Sequence, residues 1–167
     1  PAGVWDDKGN NLLPDLLAHK YIGNLELLPF KGFAKPHSIT LDLGEPYRGG
    51  PIRLLMHGEI EYFTATGMYA ASQAGVEATA PYVEAEVDHV ATGLQTRRPG
   101  LDRQTIAPNA HSPGAGVGTH WIRVTSDMGF PAGLPRTITS DLSGKLPIGT
   151  RRIRITTNLQ IYWDSIL

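Results

Sequence analysis

The last residues of the chain, RRIRITTNLQIYWDSIL (151–167), alternate between apolar and polar side chains. A repeat of two residues is the period of a β-strand, because successive side chains point to opposite faces. Burial of one such row removes several large apolar side chains from water, each worth about 1.5–3 kcal/mol. The pattern therefore predicts one long terminal strand. Its mainly apolar face carries Ile153, Ile155, Thr157, Leu159, Ile161 and Trp163.

The opposite face of this stretch is polar and begins with Arg152 and Arg154. If these side chains reach solvent, their charge discourages edge-to-edge pairing with other sheets. We expect the terminal strand to define the fold first and to contribute to a binding face second.

The same alternation recurs in shorter runs separated by turn residues, and the chain contains 19 Gly and 13 Pro. Many short strands joined by sharp turns are typical of a sandwich or barrel, and 167 residues suit a single domain. We predict one all-β domain over 1–167, an antiparallel, jelly-roll-like β-sandwich with at most one or two short helices. The runs are SITLDLG (38–44), PIRLLMHGEIEYF (51–63), APYVEAEV (80–87), HWIRVTSD (120–127) and RTITSDLS (136–143).

Three local features add detail to this prediction. A short helix is expected near Thr66–Ala74, with Thr64 or Thr66 as N-cap and Gly75 after its end. A single helical turn is expected at Asp15–His19. Gly58 interrupts an otherwise regular strand, which indicates a β-bulge or a close backbone approach.

Charge and composition exclude several classes of function. The formal charge is −1 and no run of Lys or Arg exceeds two residues, so a nucleic-acid-binding surface is not expected. No apolar run approaches the roughly 18 residues of a transmembrane helix, so no membrane span is expected in this segment. The absence of cysteine excludes disulfides and thiol catalysis. Because the chain starts without Met and stops directly after a strand, we interpret it as a fragment of a larger protein.

Residues 88–119 show no periodicity and predict a long irregular loop inside the domain. Long loops within compact domains are often functional. Arg97 and Arg98 could contact an acidic partner, although a solvated loop with scattered charge is the alternative. The histidines and carboxylates in or beside this loop could also form a metal or ligand site. The alternative is that they are solvent-exposed and have no function. The residues are His89, His111, His120, Asp88 and Asp102.

His57, Glu59 and Glu61 lie at alternate positions on one face of a predicted strand. An imidazole and two carboxylates could bind a metal or act as an acid/base pair. The alternative is an ordinary solvated face of a half-buried strand. If a metal binds, the oxygen donors favour a hard cation such as calcium over zinc; otherwise no cofactor is expected.

The stretch IEYFTATGMYAASQAG (60–75) combines aromatic rings with small residues. Tyr62 and Tyr69, beside nearby carboxylates, are suited to sugar recognition by stacking and hydrogen bonding. The alternative is that these rings fill the core.

Three blocks resemble a known family: LLPFKGFAKPHSITLDLG (27–44), RLLMHGEIEYFTATGMYAASQAG (53–75) and DMGFPAGLPRTITSDLSGKLPIGTRRIRITTNLQIYWDSIL (127–167). They are similar to an accessory domain of large bacterial proteins that carry FG-GAP and tetratricopeptide repeats and are related to cartilage acidic protein. Between Val87 and Thr119 the chain departs from this pattern, which has a short turn there. The order of strands and loops is also similar to galactose-binding-like β-sandwiches, a likeness of fold alone.

The resemblance implies an exported, multidomain bacterial parent with binding or adhesive modules. We therefore predict a non-catalytic accessory module that binds carbohydrate or a protein surface and contacts other domains of its own chain. A purely structural or self-assembling domain is the first alternative, and a metal-dependent enzyme using His57, Glu59 and Glu61 is the second. The predicted ligand-binding residues are His57, Glu59, Glu61, Tyr62, Tyr69, Arg97 and Arg98.

Overall fold

A computed structural model of the chain describes residues 1–23, 25–88 and 119–167. The described residues form antiparallel sheets and two short helices, which confirms the predicted all-β, sandwich-like fold; the jelly-roll topology stays a prediction. In chain order the elements are β1 (Gly3–Asp6), α1 (Leu13–Leu17), β2 (Phe33–Asp42), β3 (Arg53–Ile60), α2 (Ala65–Gln73), β4 (Tyr82–Asp88), β5 (Thr119–Thr125), β6 (Arg136–Asp141), β7 (Arg152–Leu159) and β8 (Ile161–Ile166).

The strands form a five-stranded sheet in the order β1-β2-β7-β4-β5 and a three-stranded sheet in the order β6-β3-β8. Each sheet turns an apolar face toward the other, as the two-residue alternation requires. The core between them is built from the inward rows of both sheets, including Ile39, Leu41, Met56, Ile60, Val83, Ile153, Ile155 and Trp163.

The terminal stretch is two strands rather than the single long strand predicted. Leu159 ends β7 opposite Phe33 in the five-stranded sheet, whereas Ile161 begins β8 opposite Ile60 in the three-stranded sheet. Between them, the Gln160 amide donates to the Gly32 carbonyl. Apolar and polar residues keep alternating across Gln160, because the apolar side chains of β7 and β8 pack into the same core.

The expected role of Arg152 and Arg154 at a sheet edge is wrong. β7 is the middle strand of its sheet and is hydrogen-bonded on both sides, to β2 and to β4. Both guanidinium groups instead meet carboxylates of β4.

Gly58 confirms the predicted irregularity in β3. The register between β3 and β8 shifts between His57 and Gly58. A Cβ at Gly58 would lie 2.8 Å from Cε3 of Trp163 and would collide with the Tyr162 carbonyl. Only glycine therefore permits this close approach of the two strands.

Both helices lie near their predicted positions. α2 is capped by Thr64, whose hydroxyl accepts a hydrogen bond from the Gly67 amide at 3.0 Å, and Gly75 follows the helix with a φ of +74°. α1 begins two residues before the predicted turn, with Pro14 in its first turn, where the missing amide hydrogen costs nothing. Within the described residues, neither helix has the length and apolar character needed to cross a membrane.

Candidate functional site

The structure gives His57, Glu59 and Glu61 separate surroundings. His57 lies in β3 and its Nδ1 hydrogen-bonds with the Thr137 hydroxyl at 3.0 Å. Glu61 forms an ion pair with Lys31 at 3.0 Å. Across the described ranges, no three His, Cys, Asp or Glu side chains are grouped so that they could hold a metal ion. His57 and Glu59 lie in β3 and Glu61 follows it, and the three side chains do not form a metal-binding group.

The predicted aromatic residues lie at the surface. Tyr62 is 56% exposed and Tyr69 is 69% exposed. Phe63 alone of this group packs inward, where its ring centroid lies 5.3 Å from that of Phe33. Arg97 and Arg98 lie outside the described residues, as do His89, His111 and Asp102.

The outer face of the five-stranded sheet carries a ladder of opposite charges that the sequence analysis did not identify. Arg152 Nε donates to Glu86 Oε2 at 2.7 Å, and Arg154 Nε donates to Glu84 Oε2 at 2.8 Å. The equal spacing of the two carboxylates in β4 and the two guanidinium groups in β7 aligns both pairs. This spacing is a sequence signal from which the β4–β7 pairing could have been predicted.

Two contacts between a guanidinium group and an aromatic ring connect β5 to its neighbours on this face. The Arg154 guanidinium lies 4.4 Å from the ring centroid of Trp121, and Arg123 lies 3.6 Å from that of Tyr82. Such contacts add attraction between the cation and the π-face. Together with the ion pairs, they connect the outward side chains of β4, β5 and β7.

A cleft of about 530 Å³ lies at one end of this face, and we call it the Trp5 cleft. It brings together one aromatic ring, three carboxylates, two threonines and two arginines from distant parts of the chain. Its lining includes Trp5, Asp42, Glu86, Asp88, Thr150 and Arg152.

Local structure at the start of the chain directs Trp5 to the cleft. Val4 is fully buried in the core, so alternation along β1 turns Trp5 to the outer face, opposite Thr40. The indole ring lies over Gly3, where any Cβ would collide with it. The turn after β1 is held by Asp6, which accepts hydrogen bonds from the backbone and side chain of Asn10.

The Asp6 carboxyl has a pKa below its ordinary value. Its burial opposes the charged form, but the hydrogen bonds from Asn10 and Lys8 outweigh that effect and lower the pKa of the Asp6 carboxyl. The turn that orients Trp5 is consequently stabilised by a carboxylate rather than by a neutral acid.

Thr150 is the most unusual residue of the cleft lining. It is only 2% exposed, and its hydroxyl has no hydrogen-bond partner among the residues that the structure describes. Its backbone is fixed, since the Tyr47 amide donates to its carbonyl at 2.8 Å. A buried hydroxyl without a partner is uncommon in folded proteins and calls for an explanation such as a bound molecule.

A second group of polar side chains lies near the three-stranded sheet. Partial burial, together with the charges of Glu59 and Asp164, raises the pKa of the Tyr21 hydroxyl. Asp164 has one carboxylate oxygen, Oδ1, that is buried and has no hydrogen-bond partner within residues 1–23, 25–88 and 119–167. None of the three residues lines the Trp5 cleft.

Comparison with known proteins identifies no relative: no family model matches the chain, and neither a curated protein nor a solved structure shows significant similarity to it. The resemblance to the accessory domain of FG-GAP repeat proteins therefore stays a prediction.

Proposed function

We propose that this chain is a non-catalytic carbohydrate-binding module and that the Trp5 cleft binds the sugar. One observation supports this most directly: an indole ring, carboxylates and guanidinium groups surround a single cleft of about 530 Å³. Aromatic rings stack on the apolar faces of sugars, while charged groups hydrogen-bond to the hydroxyls. The volume is within the range of about 300–1,000 Å³ that is usual for small-molecule sites.

The groups in the cleft are held in place before a ligand binds. Arg152 is fixed by Glu86, and Asp42 Oδ1 accepts a hydrogen bond from the Gly44 amide at 2.7 Å. Ordering of such side chains would otherwise cost about 0.5–1.5 kcal/mol each on binding. A prearranged polar cleft of this kind is suited to ligands with many hydroxyl groups.

We further propose that the module belongs to an exported, multidomain bacterial protein and contacts other domains of its chain. The support is the resemblance of residues 27–44, 53–75 and 127–167 to the accessory domain of FG-GAP repeat proteins. A galactose-binding-like, jelly-roll arrangement of the strands belongs to the same proposal.

Binding to a glycan array, followed by calorimetry with the best ligand, tests the carbohydrate proposal. Trp5→Ala should weaken binding by at least about tenfold, which corresponds to about 1.4 kcal/mol. Tyr69→Ala removes an exposed aromatic ring from α2 that does not line the cleft, and it should leave the affinity unchanged. If Tyr69→Ala weakens binding and Trp5→Ala does not, the site includes the predicted residues Tyr62 and Tyr69 rather than the Trp5 cleft; if no glycan binds, the proposal is wrong.

A structural or self-assembling domain is the second candidate, because α2 exposes apolar side chains. Met68 is 48% exposed and Tyr69 is 69% exposed, next to Tyr62 at 56%. Sedimentation over a range of protein concentrations tests this candidate, which requires association that Tyr69→Ser weakens. We do not propose the metal-dependent enzyme, since His57 and Glu61 have different partners and no observation brings them to one point.

A further inference from the structure

We propose that the Trp5 cleft selects a saccharide that carries a protonated amine, namely an unacetylated amino sugar. This inference rests on the proposed carbohydrate-binding function and specifies its ligand. It follows from the charges that remain after the cleft's own ion pair is formed, from the aromatic wall, and from the unpartnered hydroxyl.

The unpaired charges of the cleft are mainly negative. Arg152 donates to Glu86 at 2.7 Å, so these two groups largely neutralise each other. Asp42 and Asp88 remain, and within the described ranges no Lys or Arg nitrogen lies within 4.0 Å of either carboxylate. Arg151 is the remaining cation of the lining. Two carboxylates against one guanidinium favour a cationic ligand over an anionic one.

Trp5 also favours a cationic ligand. The face of an indole ring attracts a cation within about 6 Å of its centroid, and Trp is the strongest of the aromatic residues in this respect. A sugar ring that bears an ammonium group can therefore use Trp5 through both its apolar face and its charge. A neutral or acidic sugar would use the stacking contact alone.

Thr150 is independent support for a ligand in this cleft. Its hydroxyl is buried and has no partner in the described part of the chain, and the residue belongs to the same lining as Asp42 and Asp88. A hydroxyl oxygen accepts hydrogen bonds readily from an ammonium group or from a sugar hydroxyl. The oxygen has less than 1 Å² of exposed surface, so a bound amino sugar would supply its missing partner once the side chain rotates toward the cleft.

Calorimetry with three oligosaccharides of equal length tests the inference: a glucosamine oligomer, its N-acetylated counterpart and a galacturonate oligomer. The glucosamine oligomer should bind at least about tenfold more tightly than the acetylated one, a difference of about 1.4 kcal/mol. The preference should disappear when the pH is raised above the pKa of the sugar amine, and it should weaken at high salt.

Variants assign the preference to the cleft. Asp42→Asn combined with Asp88→Asn should remove the preference for the amine while retaining binding of the acetylated oligomer through Trp5. Asp42→Glu retains the charge and should keep the preference. Glu26→Gln is the matched control, since it removes one exposed carboxylate that pairs with Lys35, near the opposite end of β2 from Asp42. Thermal unfolding of each variant verifies that it is folded.

Each of the other outcomes contradicts a specific part of the proposal. Equal affinity for the acetylated oligomer, or tighter binding of galacturonate, contradicts the amine preference and leaves the carbohydrate proposal intact. A preference that survives the double Asp variant contradicts its assignment to Asp42 and Asp88. Failure of all three oligosaccharides, together with an unresponsive glycan array, contradicts the carbohydrate proposal itself.

Discussion

Arg154 of β7 and Glu84 of β4 lie directly opposite each other in the five-stranded sheet, with Nη2 and Oε2 2.8 Å apart. The Thr156 hydroxyl donates to the same carboxylate oxygen at 3.4 Å, and Trp121 lies against the guanidinium at 4.4 Å. The Glu84 side chain is 14% exposed and that of Arg154 is 30% exposed. This pair is thus more shielded from solvent than an ordinary surface ion pair.

A double-mutant cycle of Glu84→Gln and Arg154→Met should give a coupling energy of about 1–2 kcal/mol, above the usual value for exposed pairs. Urea unfolding of the four proteins measures it. The Glu26–Lys35 pair, with both side chains 57% exposed, is the control and should show little coupling. Similar coupling in both cycles would contradict the proposed shielding of the ladder.

Gly58→Ala should destabilise the fold by about 1–3 kcal/mol, because the new methyl group meets the Trp163 ring and the Tyr162 backbone. Chemical denaturation measures the loss. Gly23→Ala is the matched control, since a Cβ there has no heavy atom within 4 Å, and it should be nearly neutral. Equal stability of the two variants would show that β3 and β8 are not as close as described.

Stability should fall as the pH drops below about 6.5, because His37 is 7% exposed and burial lowers the pKa of its imidazole. Its Nδ1–H donates to the Lys35 carbonyl at 2.9 Å, and the charge of Asp7 only partly offsets the burial. The unfolded state takes up a proton first as the pH falls, so the free energy of unfolding decreases by up to about 1.4 kcal/mol per pH unit.

Urea unfolding, measured from neutral pH down to the pH range in which carboxyl groups become protonated, tests the role of His37. His37→Gln should flatten the pH dependence, whereas His19→Asn, at an exposed position, should not change it. An unchanged slope in the His37 variant would assign the pH dependence to other groups.

Asn158→Ala should cost about 1–3 kcal/mol, since the side chain holds a distant segment against β7. Its Oδ1 accepts from the Thr79 amide and its Nδ2 donates to the Glu77 carbonyl, each at 2.7 Å. Ser72→Ala, on exposed α2, should have little effect. Hydrogen exchange should show faster exchange of the Thr79 amide in the Asn158 variant, and an unchanged rate would contradict this contact.

The sequence allowed most strands to be predicted, because alternation reports which side chains meet the core. It could not separate β7 from β8. Leu159 and Ile161 belong to one alternating row of buried side chains, although they lie in different sheets. The crossing is fixed by hydrogen bonds of Gln160 with Gly32 and Glu61, which are distant in the chain, and no local pattern reports such contacts.

The candidate site was harder to predict for the same reason. Trp5, Asp42, Asp88 and Thr150 become neighbours only once β1, β2, β7 and β4 are placed side by side. Local spacing instead predicted a site at His57, Glu59 and Glu61, which alternate in the sequence but do not form a common site. The predictions for Arg97 and Arg98 lie outside the described residues and stay predictions.

The most direct test of the Trp5 cleft is a titration of the isotope-labelled protein with its best-binding oligosaccharide, followed by amide and indole NMR shifts. The largest changes should occur at the indole N–H of Trp5 and at the amides of Asp42, Thr150 and Arg152. Changes confined to residues 57–75, with those four signals unmoved, would contradict the central claim that this cleft is the binding site.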